Sequence, residues 1–225
     1  LKTSDIIPVS PHEAEFEDWL KTARSPGAPR TQHPLDELIG EHHLIDVVLA
    51  AIERGARRLS VHEVMQPEFW EDVVDFVGNF VVQCHHRKEE EALLPLVRDP
   101  AEGDAAPPAQ VLSLQHDQAR QLAYDLLDGV NEGDWEKLLR AAHLFIRLER
   151  EHLVTEERDV FEPARRIATA AELSAARATA DAVERAAFQD RDRLYYVAVA
   201  RRLTRAAGLP DPLVAGLSTA DLAGG

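Results

Sequence analysis

Apolar residues return every three or four positions along most of this chain, and the breaks in that rhythm divide it into helices. Leu38, Ile45, Leu49 and Ile52, with His42 among them, form one stripe and predict a helix over 34–58. Pro67 suits the first turn of a second helix, whose face Trp70, Val74, Val77, Val81, His85, Glu89 and Leu93 runs to about Val97. The stretch 99–108, rich in Pro, Gly and Asp, ends it. A third helix begins near 108 and carries Leu112, His116, Ala119 and Ala123 as far as 131–133. A fourth starts after Asp134, a natural N-cap, and carries Leu138, Ala141, Phe145, Leu148, His152 and Glu156 towards Pro163. Residues 170–207, rich in Ala and Arg, add one or two more helices bearing Tyr195 and Tyr196. No strand pattern competes.

Short turns between four such helices make successive ones antiparallel. The expected class is all-α, an antiparallel up-down four-helix bundle over 34–166 with an extra C-terminal helical arm. A partly irregular leader over 1–33, with a short helix at 12–24, precedes the bundle. The arm, 167–225, is expected to pack on the bundle or to join a homodimer.

The stripes are not purely apolar. His85 and Glu89 on helix two, and His152 and Glu156 on helix four, are each four residues apart, about 400° of helix rotation, so each pair shares a face one turn apart. An ionised carboxylate among Leu and Val costs several kcal/mol unless a positive charge adjoins it. No Arg shares either face, so both Glu call for a cation. His42 and His116 each stand about eight or nine residues from the start of their helix, and Glu89 and Glu156 about eight to ten from the end of theirs. In alternating helices rising roughly 1.5 Å per residue, all six fall in one layer. Six imidazole and carboxylate donors exceed a single tetrahedral zinc and suit a pair of iron or manganese ions. Glu90 and Glu157, beside two of the ligands, are candidates to hydrogen-bond them from outside.

The words EHHLI at 41–45, CHHRKEEEALLP at 84–95, QHDQAR at 115–120 and HLVTEE at 152–157 together resemble the hemerythrin-like family with its HHE cation-binding domain. The resemblance covers about 34–166 and rests on four motifs in order. It implies two irons, Fe2+ or Fe3+ with an oxo or hydroxo bridge, for which manganese or zinc can substitute. Family members bind oxygen, sense oxygen or iron, or answer oxidative and nitrosative stress. The animal oxygen carriers have a second His one turn after the first on helix three, where this chain has Arg120. His86 is the candidate to replace it, since some members use the residue after the helix-two His. The expected ligand set is His42, His85, His86, Glu89, His116, His152 and Glu156.

Composition narrows the partners. Lys plus Arg number 25 against 40 Asp plus Glu, a net charge of −15, which argues against nucleic acid. No apolar run approaches the roughly 18 residues of a membrane span, residues 1–10 lack the pattern of an export signal, and the one cysteine, Cys84, suits a reducing cytoplasm. His12, His33 and His62 are expected at the surface, with His62 the alternative extra ligand, and His143 is expected on the side of helix four opposite His152. Three functions compete: a protein that binds or senses O2, NO or iron; a di-iron oxidoreductase consuming peroxide or nitric oxide; and a signalling subunit whose arm responds to the metal.

Overall fold

The computed structural model describes residues 12–24, 33–63, 65–97, 107–209 and 211, and every regular element among them is helical. In order these are α1 (Glu13–Arg24), α2 (Pro34–Ser60), α3 (Pro67–Asp75), α4 (Pro107–Glu132), α5 (Trp135–Glu156), α6 (Glu162–Ile167), α7 (Ala170–Phe188) and α8 (Arg193–Ala206). Helix α3 continues without a break through π-helical turns at Phe76–His86 and Glu89–Leu93 and a 3₁₀ turn at Leu94–Val97. A π-helical turn at Glu157–Phe161 likewise joins α5 to α6. None of the described helices is long and apolar enough to cross a membrane.

The helix starts follow from local chemistry. Pro34 occupies the first turn of α2, the His33 side chain accepts a hydrogen bond from the Leu35 amide, and Asp36 and Glu37 face the positive end of the helix dipole. Asp134 caps α5 through the Lys137 amide at 3.0 Å, and Gly133, at φ 67°, makes the tight turn before it. Thr169 and Glu172 form a reciprocal capping box on α7. The fourth bundle helix does not end at Pro163. Pro163 directly follows the π-helical turn at Glu157–Phe161, in the first turn of α6, and the helix runs on to Ile167.

Four rods, namely α2, α3 with its continuation, α4, and α5 with α6, form the antiparallel bundle. Its apolar interior lies in two parts. The larger joins Leu44, Ile45, Leu49, Val77, Phe80 and Phe145 to the C-terminal residues Phe188, Tyr196 and Leu203. The smaller gathers Leu35, Leu38, Leu93, Leu112, Val160 and Phe161 at the other end. The arm packs on the bundle: α8 lies against α2 and α3, and α7 against the π-helical turns of the second rod. Helix α1 also docks, burying Phe16, Trp19 and Leu20 against α2. Tyr196 is a core residue, packed on Phe76, Phe80 and Phe188.

Candidate metal centre

A polar layer interrupts this apolar interior. His42 comes from α2, His85, His86 and Glu89 from the second rod, His116 from α4, and His152 and Glu156 from α5, all at most 2% exposed. Donor atoms of these seven residues fall into two groups, each within 4.8 Å: His42, His85, Glu89 and Glu156 in one, His86, Glu89, His116 and His152 in the other. Glu89 belongs to both. Its Oε1 stands 2.7 Å from Nε2 of His85 and 3.8 Å from Nε2 of His42, while its Oε2 stands 3.0 Å from Nε2 of His116 and 3.4 Å from Nε2 of His152. Glu156 Oε2 lies 3.2 Å from Nε2 of His42 and 3.9 Å from Nε2 of His152.

The π-helical turns set this geometry. In an α-helix successive side chains diverge by about 100°, so adjacent His85 and His86 would not both face inwards. A wider i→i+5 turn rotates less per residue, and both rings enter the interior. His86 stacks on His116 with ring centres 4.3 Å apart. Arg120 turns away from the layer and binds Glu90 at 2.9 Å and Asp117 at 2.5 Å.

Each of the five rings is anchored by its outer nitrogen. Nδ1 of His42 donates to Glu157 at 2.8 Å, that of His85 to Glu41 at 3.0 Å, that of His116 to Glu90 at 2.9 Å, and that of His152 to Gln115 at 3.1 Å. His86 donates from Nε2 to Glu149 at 3.3 Å. An acceptor on the outer nitrogen puts the proton there and turns the lone pair inwards, the arrangement found behind metal-bound imidazoles. The inner atoms have nothing to meet: Nε2 of His42, His85, His116 and His152, Nδ1 of His86, and both oxygens of Glu89 and Glu156 are buried without a hydrogen-bond partner. Buried polar atoms are nearly always satisfied, so nine orphans converging on one layer need a shared partner that accepts lone pairs. A cation is such a partner.

Electrostatics agree. Burial alone would raise the Glu89 carboxyl and lower the imidazoles, yet the charges of His85 and its neighbours hold Glu89 well below the usual carboxylate range. Against burial, Glu89 and the outer carboxylates push His85 up to about 9 and His116 up to about 10. Burial and the charge of Glu89 raise Glu156. The polypeptide alone therefore balances its buried carboxylates by gathering protons on imidazoles, a task cations fulfil by displacing those protons. Burial lowers His86 to about 4, leaving it neutral with a free lone pair at neutral pH.

Sequence reasoning placed Glu90 and Glu157 outside the ligands, where they lie, but missed Glu41, Gln115 and Glu149. Glu149, three residues before His152 on the same helix face, was the readable one. His12 is half-buried and donates to Glu157 at 2.8 Å, beyond the bare surface role expected of it. His33 caps α2, while His62 and His143 are exposed and belong to neither donor group. Cys84 is buried, and its environment pushes the thiol up, away from the reactive thiolate.

The family model of the hemerythrin HHE cation binding domain matches residues 33–164. No curated protein and no solved structure matches the chain.

Proposed function

Since the chain belongs to the hemerythrin HHE cation-binding family, we propose that its His–Glu layer holds two iron ions and takes up a diatomic ligand, O2 or NO, as a binding or sensing protein in oxidative or nitrosative stress. The supporting observation is Glu89, whose two oxygens face two different imidazole groups, so that it would contribute to both positions. His42, His85 and Glu156 complete one group and His86, His116 and His152 the other.

Imidazole and carboxylate donors without thiolate suit iron, with manganese or zinc as substitutes. Five nitrogens and four oxygens would hold the ions. When bound, an iron pair supplies redox-active Lewis-acid centres with positions left for a small ligand or peroxide. The chain's own residues orient and protect. Outer hydrogen bonds fix each ring, Phe161 stacks on His42 with centres 5.3 Å apart, and the two apolar clusters exclude water on either side. The cleft lined by Leu35, Leu38, Lys88 and Arg193 reaches Glu41, the outer partner of His85.

The test is metal analysis with an optical spectrum taken before and after air. Two irons per chain, near-ultraviolet absorption of an oxidised pair, and stoichiometric uptake of O2 or NO are expected. Sustained turnover of peroxide or nitric oxide, abolished in Glu89→Ala, would move the protein to the oxidoreductases. A chain that takes up no iron would sink the reading.

A further inference from the structure

The arm lies outside the stretch that the family model matches, yet a chain of buried charges connects it to one half of the metal layer. Glu41 accepts from Nδ1 of His85 through Oε2 and, through Oε1, from Lys88 Nζ at 2.6 Å and Trp19 Nε1 at 3.3 Å. Lys88 Nζ also donates to Glu184 of α7 at 2.5 Å. Glu184 in turn receives two bonds from Arg193 of α8, each 2.8 Å, and Arg193 reaches back to Glu37 of α2 at 3.2 Å and Thr22 of α1 at 3.1 Å. Side-chain exposure along this path is 1% at Glu41, 3% at Lys88, 5% at Arg193 and 13% at Glu184. The path leads to His85, in the group with His42 and Glu156, whereas the outer partners of His116 and His152, Glu90 and Gln115, belong to the bundle.

We propose that the C-terminal helices complete the metal centre: Glu184 and Arg193 hold Lys88, Lys88 holds Glu41, and Glu41 holds His85, so that docking of the arm sets the iron affinity of the His42–His85 position. This rests on the reading of the layer as an iron site. Buried charges tolerate few arrangements, because each needs its partner at hydrogen-bond distance. Lys88 has two carboxylate partners, one on the bundle and one on the arm. When α7 lifts away, Glu184 leaves with it, Lys88 gains water, and Glu41 loses the fixed neighbour that holds it against His85. His85 then loses its orientation. Positions supported only from within the bundle stay as they were. Linkage makes the effect reciprocal: if docking strengthens iron binding, iron strengthens docking by the same factor. The two positions of the pair thus differ in what they report, one being wired to the arm.

The experiment uses the full chain, loaded with iron(II) without air. Glu41→Gln/Lys88→Met removes both central charges together, so that no unpaired ion is left inside, and Glu184 keeps Arg193. Arg202→Ala is the control: it breaks the exposed pair of α8 with Asp72 and spares the buried path. Competition with a chelator should show iron binding weakened about 10–100-fold at one of the two positions in the double variant, the usual effect of losing an outer partner of a metal-bound His. Arg202→Ala should bind like the wild type. Hydrogen exchange in α7 should slow on iron loading in the wild type and not respond in the double variant, although the melting temperatures of the two metal-free proteins agree. Wild-type affinity at both positions of the double variant would overturn the proposal. So would a loss of affinity that merely tracks metal-free stability and recurs in Arg202→Ala. A wild type that takes up two irons keeps the function reading whatever the double variant does; one that takes up none overturns both.

Discussion

Oε1 of Glu89 stands 2.7 Å from Nε2 of His85, yet the two atoms form no hydrogen bond. The outer Nδ1 of His85 already gives its proton to Glu41, so its Nε2 meets the carboxylate oxygen either with a second proton or with a bare lone pair. Two electron-rich atoms at that distance are stable only with a proton or cation between them. The same holds across the layer at His116, 3.0 Å from Oε2.

Glu89→Gln keeps the shape of the side chain and removes the charge shared by both positions. Bound iron is expected to fall from two per chain to less than one, with loss of the near-ultraviolet absorption of the oxidised pair. Glu156→Gln, which belongs to one donor group and stands 3.9 Å from His152 of the other, should retain more iron than Glu89→Gln. Plasma emission analysis of both variants checks the order, and equal retention would argue against a shared bridge.

His86 joins Glu89, His116 and His152 in one donor group, while Arg120 points outwards to Glu90 and Asp117. His86→Leu/Glu149→Met replaces a buried polar pair by apolar groups of similar size, which is neutral or stabilising for folding. The metal-free variant should melt at or above the wild-type temperature and hold about one iron fewer. His86→Leu alone leaves Glu149 without its partner and should cost about 1–3 kcal/mol. Urea titration with iron analysis separates the two effects.

Much of this was legible in the chain. Stripes with a 3.6-residue period gave the four rods, and a carboxylate on such a stripe is conspicuous because water would not be there to solvate it. His86 was visible only through family resemblance, since α-helical periodicity turns it about 100° from His85; the π-helical turn that brings it inwards depends on packing around the second rod. Glu41 was hidden by its neighbours in EHHLI, and its link to Glu184 spans too much sequence for any local pattern to suggest. Pro163 was misleading, because the π-helical turn just before it carries the helix past the proline.

Removal of the metals should destabilise the fold itself, because nine buried donor atoms lose their partner at once. A ligand present at 1,000 times its dissociation constant stabilises by about 4 kcal/mol, and a chain of this size shifts by roughly 2–4 °C per kcal/mol. Exhaustive chelation should therefore lower the melting temperature by roughly 8–16 °C for each such site. Calorimetry with and without chelator measures this, and coincident melts would count against a cation in the layer.

Helix α1 rests on Gly40, one residue before Glu41. A Cβ there would stand 2.7 Å from Cβ of Trp19 and 2.9 Å from the Glu15 carbonyl oxygen, so Gly40→Ala must push α1 away. Overpacking of this kind costs about 1–3 kcal/mol, against a gain of up to about 1 kcal/mol in helix propensity. Gly78→Ala meets nothing within 4 Å and should stabilise. Opposite signs in thermal melts are expected, with the Gly40 variant also exposing Trp19 to fluorescence quenchers.

The contact between arm and bundle should carry a pH signature of its own. Glu184 of α7 faces Lys88 from the second rod, Arg193 from α8 and, with opposite effect, Glu41 from α2. Burial alone would raise its carboxyl, but the charges of Lys88 and Arg193 outweigh burial and hold it at about 2, below its ordinary 4.5. A carboxylate with a lowered folded pKa stabilises fully above its unfolded pKa and loses that contribution as pH falls through the folded one. The window is therefore pH 4.5 down to 2, and a shift of this size corresponds to stability on the order of 3 kcal/mol. Glu184→Gln lacks that dependence. In chelator-treated protein the gap in urea stability between wild type and variant should be widest above pH 5 and shrink steadily below it. A gap that stays constant from pH 6 to pH 3 would mean that the Glu184 charge does not hold the arm.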